Sequence, residues 1–350
     1  MKKLLIILAV ILPIIFTSCD VHEWPEPTTG ARLNLHLVYD NTFTIWEQPY
    51  NERSATEYEN ILTEGLIQYI VRLYPINGEM TSTDFTKEFI FSQDLKDGYD
   101  YYTSIDVEPG EYEIMVWSQI IPDTKASYPY DYTYFTQIRL DKHLTNTDYR
   151  DAFRGKANVE IVPSIALQEP MNIEIEMERP LAKFEFITTD LNEFILEELN
   201  RKLEYRALSY NDILRSLSDY NVIFHYYGYM PNAYSLFTDK PADSATNISF
   251  KSNLSQLTNK EASLGFDYVF TNGKESEVFI QIEILDDEEN RLSLTKPIKV
   301  PIKRSNHTII RGEFLTANAS GGIFINPEFD GDHNVILRKK KNGEIEYITE

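Results

Sequence analysis

The sequence predicts a mainly β protein built from antiparallel β-sandwiches, and two features of the chain support this. Aromatic residues make up 13% of the 350 residues, led by 23 tyrosines, and this composition favours strands over helical bundles. Short segments in which apolar and polar residues alternate recur along the chain, and turn-forming residues separate them. Many short strands joined by turns are typical of two packed antiparallel sheets.

The chain begins with a secretory signal. Two lysines precede an apolar run over residues 4–16, and Thr17 and Ser18 follow it directly before Cys19. The run is too short for a membrane-spanning helix. A signal that ends in a small residue plus Cys resembles the lipobox of bacterial lipoproteins, in which the thiol receives a diacylglycerol and becomes the first mature residue. The alternative is an ordinary cleaved signal followed by an incidental cysteine. We therefore predict a signal peptide over residues 1–18 and lipidation of Cys19.

A tether and the first strands follow the signal. Residues 20–30 hold two prolines and three acids without periodicity, so residues 19–30 are predicted to form an extended tether. Leucines then alternate with polar residues from Arg32 to Tyr39, which predicts a strand buried on one face. The same alternation predicts half-buried strands at residues 67–73, 112–116 and 171–177.

A domain boundary is predicted at Arg179-Pro180. Proline cannot donate a hydrogen bond to a sheet, and it restricts the residue before it, so it interrupts the series of strands. The mature length of about 330 residues also suggests two domains. The sequence therefore predicts an N-terminal sandwich over residues 31–178 and a C-terminal sandwich over residues 179–350.

The second half adds a short helical insertion to its strands. Asp190 precedes apolar residues at helical spacing, and a second helix is predicted near residues 212–217. Asn272-Gly273 and Asn342-Gly343 each lie between two strand patterns and predict hairpins. The strand patterns of this half lie at residues 181–187, 222–227, 266–270, 278–284, 298–302, 308–314, 323–325, 335–337 and 345–348.

Charge and cysteine content exclude several classes of function. Residues 1–18 carry two lysines and no acid, so their removal takes the formal charge from -22 to -24. Nucleic acid and anionic membrane surfaces repel a body this acidic, and we expect no nucleic-acid partner. Cys19 is the single cysteine, so once it carries a lipid no thiol remains for disulfides, metal binding or catalysis.

The sequence carries no recognisable catalytic motif. It lacks the serine-hydrolase elbow, the P-loop, the dinucleotide-binding glycines and the zinc-binding H-E-x-x-H. The six histidines are scattered, and none lies at ligand spacing from another. Residues 286–290 are acidic but lack the glycine and spacing of a calcium loop, so they predict a solvated hairpin tip. We predict a protein that is not an enzyme, with no catalytic residues, no cofactor and no metal.

Several segments resemble a known family in their order and spacing. They are SCDVHEWP (18–25), PGEY (109–112), VWS (116–118), RPLAKFEF (179–186), GYMP (228–231), FTDKP (237–241), NHTIIRGEFL (306–315) and GGI (321–323). Together they resemble the FimB-type fimbrial anchor and minor-subunit lipoproteins of Bacteroidales, which belong to type V fimbriae. The resemblance covers nearly the whole mature chain.

This resemblance implies a fold, a location and partners. The fold would be two transthyretin-like β-sandwich domains, and the N-terminal lipid would sit in the outer membrane. The acids of residues 20–26 resemble surface-export signals of the same bacteria, which favours exposure on the cell surface. The protein would hold a fimbria to the cell and limit its length, with the stalk subunit and possible further minor subunits as partners.

The family also implies a mechanism. Stalk subunits of this class join by strand exchange, in which proteolysis removes an N-terminal strand and a neighbour's strand fills the groove. An anchor cannot be cut at Arg32 or Arg53 without losing Cys19, so its first strand is expected to stay in place. The candidate donor strand is the C-terminal segment with Ile345, Tyr347 and Ile348. The alternative is that this segment folds back as a local hairpin.

Two further functions and one modification stay open from sequence. A surface lipoprotein that binds glycans for nutrient capture is suggested by the aromatic content, with Tyr226, Tyr227 and Tyr229 as stacking residues if they are exposed. A secreted hydrolase with dispersed carboxylates is a weaker alternative. Asp243-Ser244-Ala245 matches a short O-glycosylation motif of the same bacterial group, in a stretch that predicts an exposed loop, so Ser244 is a candidate site.

Overall fold

The protein is mainly β, as its sequence predicts. The computed structural model describes residues 30–40, 42–48, 58–59, 64–76, 81, 83–122, 128–140, 146–162, 170–202, 209–316, 335–339 and 345–349. The strands up to residue 177 are β1 (Ala31–Tyr39), β2 (Thr42–Gln48), β3 (Tyr58–Glu59), β4 (Leu66–Pro75), β5 (Lys87–Asp94), β6 (Tyr101–Val107), β7 (Gly110–Ile121), β8 (Tyr130–Asp131), β9 (Ile138–Leu140), β10 (Ala152–Ile161) and β11 (Met171–Met177).

The second half continues with strands and two helices. The strands are β12 (Leu181–Thr188), β13 (Asn221–Tyr226), β14 (Tyr229–Ser235), β15 (Lys240–Thr246), β16 (Ser249–Asn253), β17 (Ser255–Gln256), β18 (Ala262–Phe270), β19 (Ser276–Leu285), β20 (Arg291–Leu294), β21 (Ile298–Ile302), β22 (Asn306–Gly312), β23 (Val335–Lys339) and β24 (Ile345–Thr349). The α-helices of the described chain are α1 (Leu191–Lys202) and α2 (Tyr210–Arg215). Both lie where the sequence predicts the helical insertion.

The first sandwich packs two sheets, in the orders β11-β1-β6 and β10-β7-β4-β5. One continuous apolar core lies between them, formed by the inward-facing residues of these strands. Strand β1 lies in the middle of the smaller sheet, antiparallel to β6 and parallel to β11. Local alternation does not predict this parallel pairing, because β1 and β11 are far apart along the chain.

The second sandwich packs the order β17-β18-β12-β22-β2-β3 against β16-β13-β19-β20, with β21 also paired to β19. Its core includes α1, whose Leu191, Phe194 and Ile195 are buried. The main-chain carbonyl of Asp190 accepts from the Phe194 N–H at 3.0 Å and so begins the helix. The Asp190 carboxylate accepts instead from the Thr316 N–H at 2.8 Å, which ties the helix start to the end of the second core.

A third core joins the two sandwiches. The short sheet β15-β14-β9-β8 covers it, and residues from both halves contribute to it, including Trp117 and Tyr268. Strand β4 is buried on both faces for this reason, since Ile70 and Tyr74 pack into the third core. The sequence pattern predicted burial on one face only, because it holds no information about a second layer.

One strand of the first half belongs to the sheet of the second. Strand β2 runs parallel to β22, with Thr44 opposite Asn306. Strand β9 likewise pairs with β14. The boundary at residue 179 stays a prediction, and the two predicted domains share strands across it.

The structure corrects two sequence predictions. Asn272-Gly273 joins β18 to β19, but these strands lie in opposite sheets and do not form a hairpin. The acidic segment 286–290 joins the antiparallel pair β19 and β20, and residues 287–290 are exposed as predicted, but Asp286 is 1% exposed. Its carboxylate accepts from Arg201 at 3.0 Å and from the N–H groups of residues 288 and 290. The signal, the tether up to residue 29, and the strand predicted at 323–325 lie outside the described residues.

Candidate functional site

The first strand fills a groove in the first sandwich. Leu33, Leu35 and Leu37 are 0%, 1% and 0% exposed and belong to its core. Leu35 lies opposite Ile173 of β11 on one side and Thr103 of β6 on the other. Strand β1 therefore has partners along both edges and an apolar core beneath it.

Polar contacts on the solvent face fix the register of β1. The Asn34 amide donates to Asn172 Oδ1 at 2.9 Å, and the Ser104 hydroxyl donates to Asn34 Oδ1 at 2.7 Å. The His36 ring stacks on Tyr102 with ring centroids 3.9 Å apart. A shift of one residue would break these contacts and turn the leucines to solvent.

Arg179 holds the chain where it leaves β1. Its guanidinium contacts the Asp151 carboxylate through Nε at 2.8 Å and through a second nitrogen at 2.9 Å, and both side chains are 0% exposed. A third nitrogen donates to the carbonyl of Thr42 at 2.7 Å, and Thr42 is the first residue of β2. The Phe43 ring lies 3.8 Å from the guanidinium carbon. Arg179, which marks the predicted domain boundary, is therefore buried at the junction where β2, β10 and β12 begin.

A second buried ion pair lies close to this junction. Arg150 pairs with Asp267, and another Arg150 nitrogen donates to the Tyr268 carbonyl at 2.9 Å. The Tyr226 hydroxyl donates to Asp267 Oδ2 at 2.7 Å. Burial raises the pKa of the Tyr226 phenol well above its ordinary value, so it remains a protonated donor. Tyr226 is therefore a core residue, and it does not meet the condition of exposure that a stacking role requires.

An open groove of about 400 Å³ lies on the outer face of the sheet that holds β13 and β19. His225 and Gln281 are register partners there, and Glu283 follows on the same face. Glu283 contacts His225 Nε2 at 3.0 Å through one oxygen and Arg291 Nε at 3.0 Å through the other. Tyr227, which is 63% exposed, also lines the groove. Tyr229 is 74% exposed.

The other predicted site residues are placed as follows. Ser244 is exposed, as predicted, but it lies on edge strand β15 rather than in a loop. Ile345, Tyr347 and Ile348 lie on β24, which pairs antiparallel with β23 and opposes Tyr347 to Leu337. Cys19 lies outside the described residues.

The described residues contain neither a metal-binding cluster nor a membrane-spanning helix. No group of three or more His, Cys, Asp or Glu side chains is placed there to hold a metal ion. In that part of the chain, no helix combines the length and the apolar character needed to cross a membrane.

The fold and these surfaces define a mainly β protein of packed sandwiches whose first strand is built into its core. The chain belongs to the family of unknown function DUF6562, whose model matches residues 27–346. A comparison with curated proteins found no match.

Solved structures similar to this chain include fimbrial proteins. A candidate adhesin from Bacteroides thetaiotaomicron has a TM-score of 0.42 at 9% identity, covering 78% of this chain and 81% of that one. The fimbrial anchor protein Mfa2 from Porphyromonas gingivalis has a TM-score of 0.35 at 10% identity, covering 76% and 82%. A fimbrial assembly protein from Parabacteroides distasonis has a TM-score of 0.35 at 11% identity, covering 91% and 99%. All three TM-scores lie below 0.5.

Sequence reasoning missed the triad of His225, Glu283 and Arg291. Alternation did place His225 and Glu283 on polar faces of their strands, since apolar residues flank each of them. What it did not supply was the register that brings the three together across β13, β19 and β20.

Proposed function

We propose that this protein is an outer-membrane lipoprotein that holds a type V fimbria to the cell surface and limits its length. Three features support the proposal: the signal that ends at Cys19, the resemblance to FimB-type anchors, and the position of the first strand. The third is the observation that carries the mechanism.

Strand β1 cannot be removed without opening the first sandwich. It has a partner on each edge, and its three leucines lie in the core. A stalk subunit of the strand-exchange class gives up its first strand and accepts a neighbour's in the same groove. A subunit that keeps β1 has no groove to offer at that position, so a fibre ends where it is added.

The lipid and β1 belong to one continuous segment. Only the tether, residues 19–30, separates the proposed lipid on Cys19 from the first residue of β1. Cleavage at Arg32 or Arg53 would release the folded body from the membrane. The protein therefore stays at the cell surface only if this segment is not cut, and an uncut segment keeps β1 in its groove.

The C-terminal segment is the proposed contact with the stalk subunit. Among the described strands, β24 pairs with β23 and β23 with β24, and neither joins another sheet. Donation of β24 to an open edge of another subunit would exchange one ladder of hydrogen bonds for another and place Ile345 and Tyr347 in pockets of the partner. Other minor subunits are possible further partners at the same fibre base.

The first experiment determines the N-terminus of the protein isolated from its native host. We expect an intact mass that starts at diacylated Cys19, because the anchor is not processed further. Cys19→Ala should leave the protein in the soluble fraction, since stable anchoring needs more than one acyl chain. A mature N-terminus at residue 33 or 54, or membrane retention of Cys19→Ala, would refute the proposal.

The second experiment tests the donor strand. Deletion of residues 335–350 should leave a folded, membrane-bound protein whose cells shed their fimbriae. Ile345→Ser with Tyr347→Ser should have the same effect, whereas Glu346→Ser should retain the fibres. Fibres of normal length on cells with the deletion would exclude this segment as the donor.

A further inference from the structure

We propose that the groove formed by His225, Tyr227, Glu283 and Arg291 binds a neutral saccharide chain. The groove lies on the outer face of the second sandwich and includes no part of β1 or β24. This inference is independent of the anchoring function, and either can fail without the other.

Tyr227 offers an exposed aromatic ring on a backbone that is hydrogen-bonded to the sheet. The residue is 63% exposed, although its N–H donates to the Phe279 carbonyl at 2.8 Å. The preceding Tyr226 is held from two sides, by Asp267 through its hydroxyl and by the Ile248 carbonyl through its N–H at 2.9 Å. An exposed ring on an ordered backbone can stack on the apolar C–H face of a pyranose with little loss of conformational entropy.

The polar side chains beside the ring are ordered before any ligand arrives. His225 and Arg291 hold both oxygens of Glu283, each at 3.0 Å. The three side chains are 37%, 56% and 19% exposed for His225, Arg291 and Glu283, so their outer atoms face the groove or solvent. A carboxylate that accepts hydrogen bonds beside a guanidinium that donates them matches the paired hydroxyl groups of a sugar.

Charge and shape favour a neutral chain over other ligands. Glu283 offsets the charge of Arg291, and the whole protein carries a formal charge of -22, which repels polyanions. The volume of about 400 Å³ lies in the range of small-molecule sites, about 300–1,000 Å³, and the groove is open to solvent. Because the groove is open, a polysaccharide can bind through its internal sugar units and not only through a chain end.

The test is electrophoresis of the full chain through gels that contain xylan, glucomannan, galactomannan, dextran or polygalacturonate. We expect retardation by at least one of the four neutral polysaccharides. Tyr227→Ala should raise the dissociation constant for that polysaccharide at least about tenfold. Glu283→Gln should also weaken binding, because it removes the charge that orients His225 and Arg291.

Tyr134→Ala is the matched control. Tyr134 is 52% exposed and does not line the groove, so its truncation should leave retardation unchanged. Circular dichroism on each variant checks that the fold is intact. Absence of retardation by every neutral polysaccharide, retardation by polygalacturonate alone, or equal binding by Tyr227→Ala and the original chain would overturn the proposal.

Discussion

Replacing Arg179 by methionine tests the junction between β2, β10 and β12. Methionine retains much of the apolar stem but removes the guanidinium, which contacts Asp151 at 2.8 and 2.9 Å in a site with 0% exposure. Removing one partner of a buried ion pair costs about 3–5 kcal/mol, because the remaining charge loses its compensation. Domains are stable by only about 5–15 kcal/mol, so this is a large fraction of the total.

The assay is urea unfolding followed by tryptophan fluorescence and far-ultraviolet circular dichroism, with linear extrapolation to water. Arg179→Lys should fall between the original chain and Arg179→Met, since lysine keeps the charge but not the planar fork. Hydrogen exchange should rise at residues 42–48, because Arg179 also holds the Thr42 carbonyl at 2.7 Å. Exchange at residues 278–284 should not change.

Two variants make this prediction refutable. Arg32→Met removes an exposed partner of Asp106 and should leave the unfolding midpoint unchanged. Arg179→Met combined with Asp151→Asn should be more stable than Arg179→Met alone, because both charges are then gone. A loss below about 1 kcal/mol for Arg179→Met, or no recovery in the double variant, would show that the buried pair is not what holds the junction.

Three further predictions concern packing, pH and modification. Gly155→Ala should destabilise by about 1–3 kcal/mol in urea unfolding, because an added Cβ would lie 2.6 Å from Met177 Sδ, whereas Gly30→Ala should be neutral. Burial lowers the pKa of His307 below 6.5, so the unfolded chain takes up its proton first and stability falls as pH drops below about 6.5. His307→Gln should reduce the loss of urea midpoint between pH 7 and 5.5, and an unchanged loss would contradict this. Ser244 should carry a glycan in the native host, and an unmodified peptide spanning it would argue against this site.

Secondary structure was largely predictable, because the signal for it is local. Alternation over residues 32–39 and 171–177 predicted β1 and β11, and helical spacing after Asp190 predicted α1. The period of a strand or helix is visible in a few consecutive residues, whatever lies elsewhere in the fold. Errors arose where a second layer covered the outer face, as at β4.

Candidate sites were predictable only one residue at a time. Tyr227 and Tyr229 are exposed, whereas Tyr226, the last residue of β13, is buried. The alternation that runs from Phe224 indicates this difference. The groove could not be predicted in this way, because Glu283 meets His225 and Arg291 only through the pairing of three strands. Exposure can be read from local pattern, but proximity between strands requires their register.

By itself the sequence determined the mainly β class, the positions of most strands and of the helices, and the expectation of a lipidated Cys19. Only the tertiary structure decided that β1 pairs with β11, that β2 crosses into the sheet of the second sandwich, and that Arg179 is buried against Asp151. Each of these joins residues more than 25 positions apart. Periodicity specifies which face of a strand is buried, whereas the choice of partner depends on how all the faces pack together.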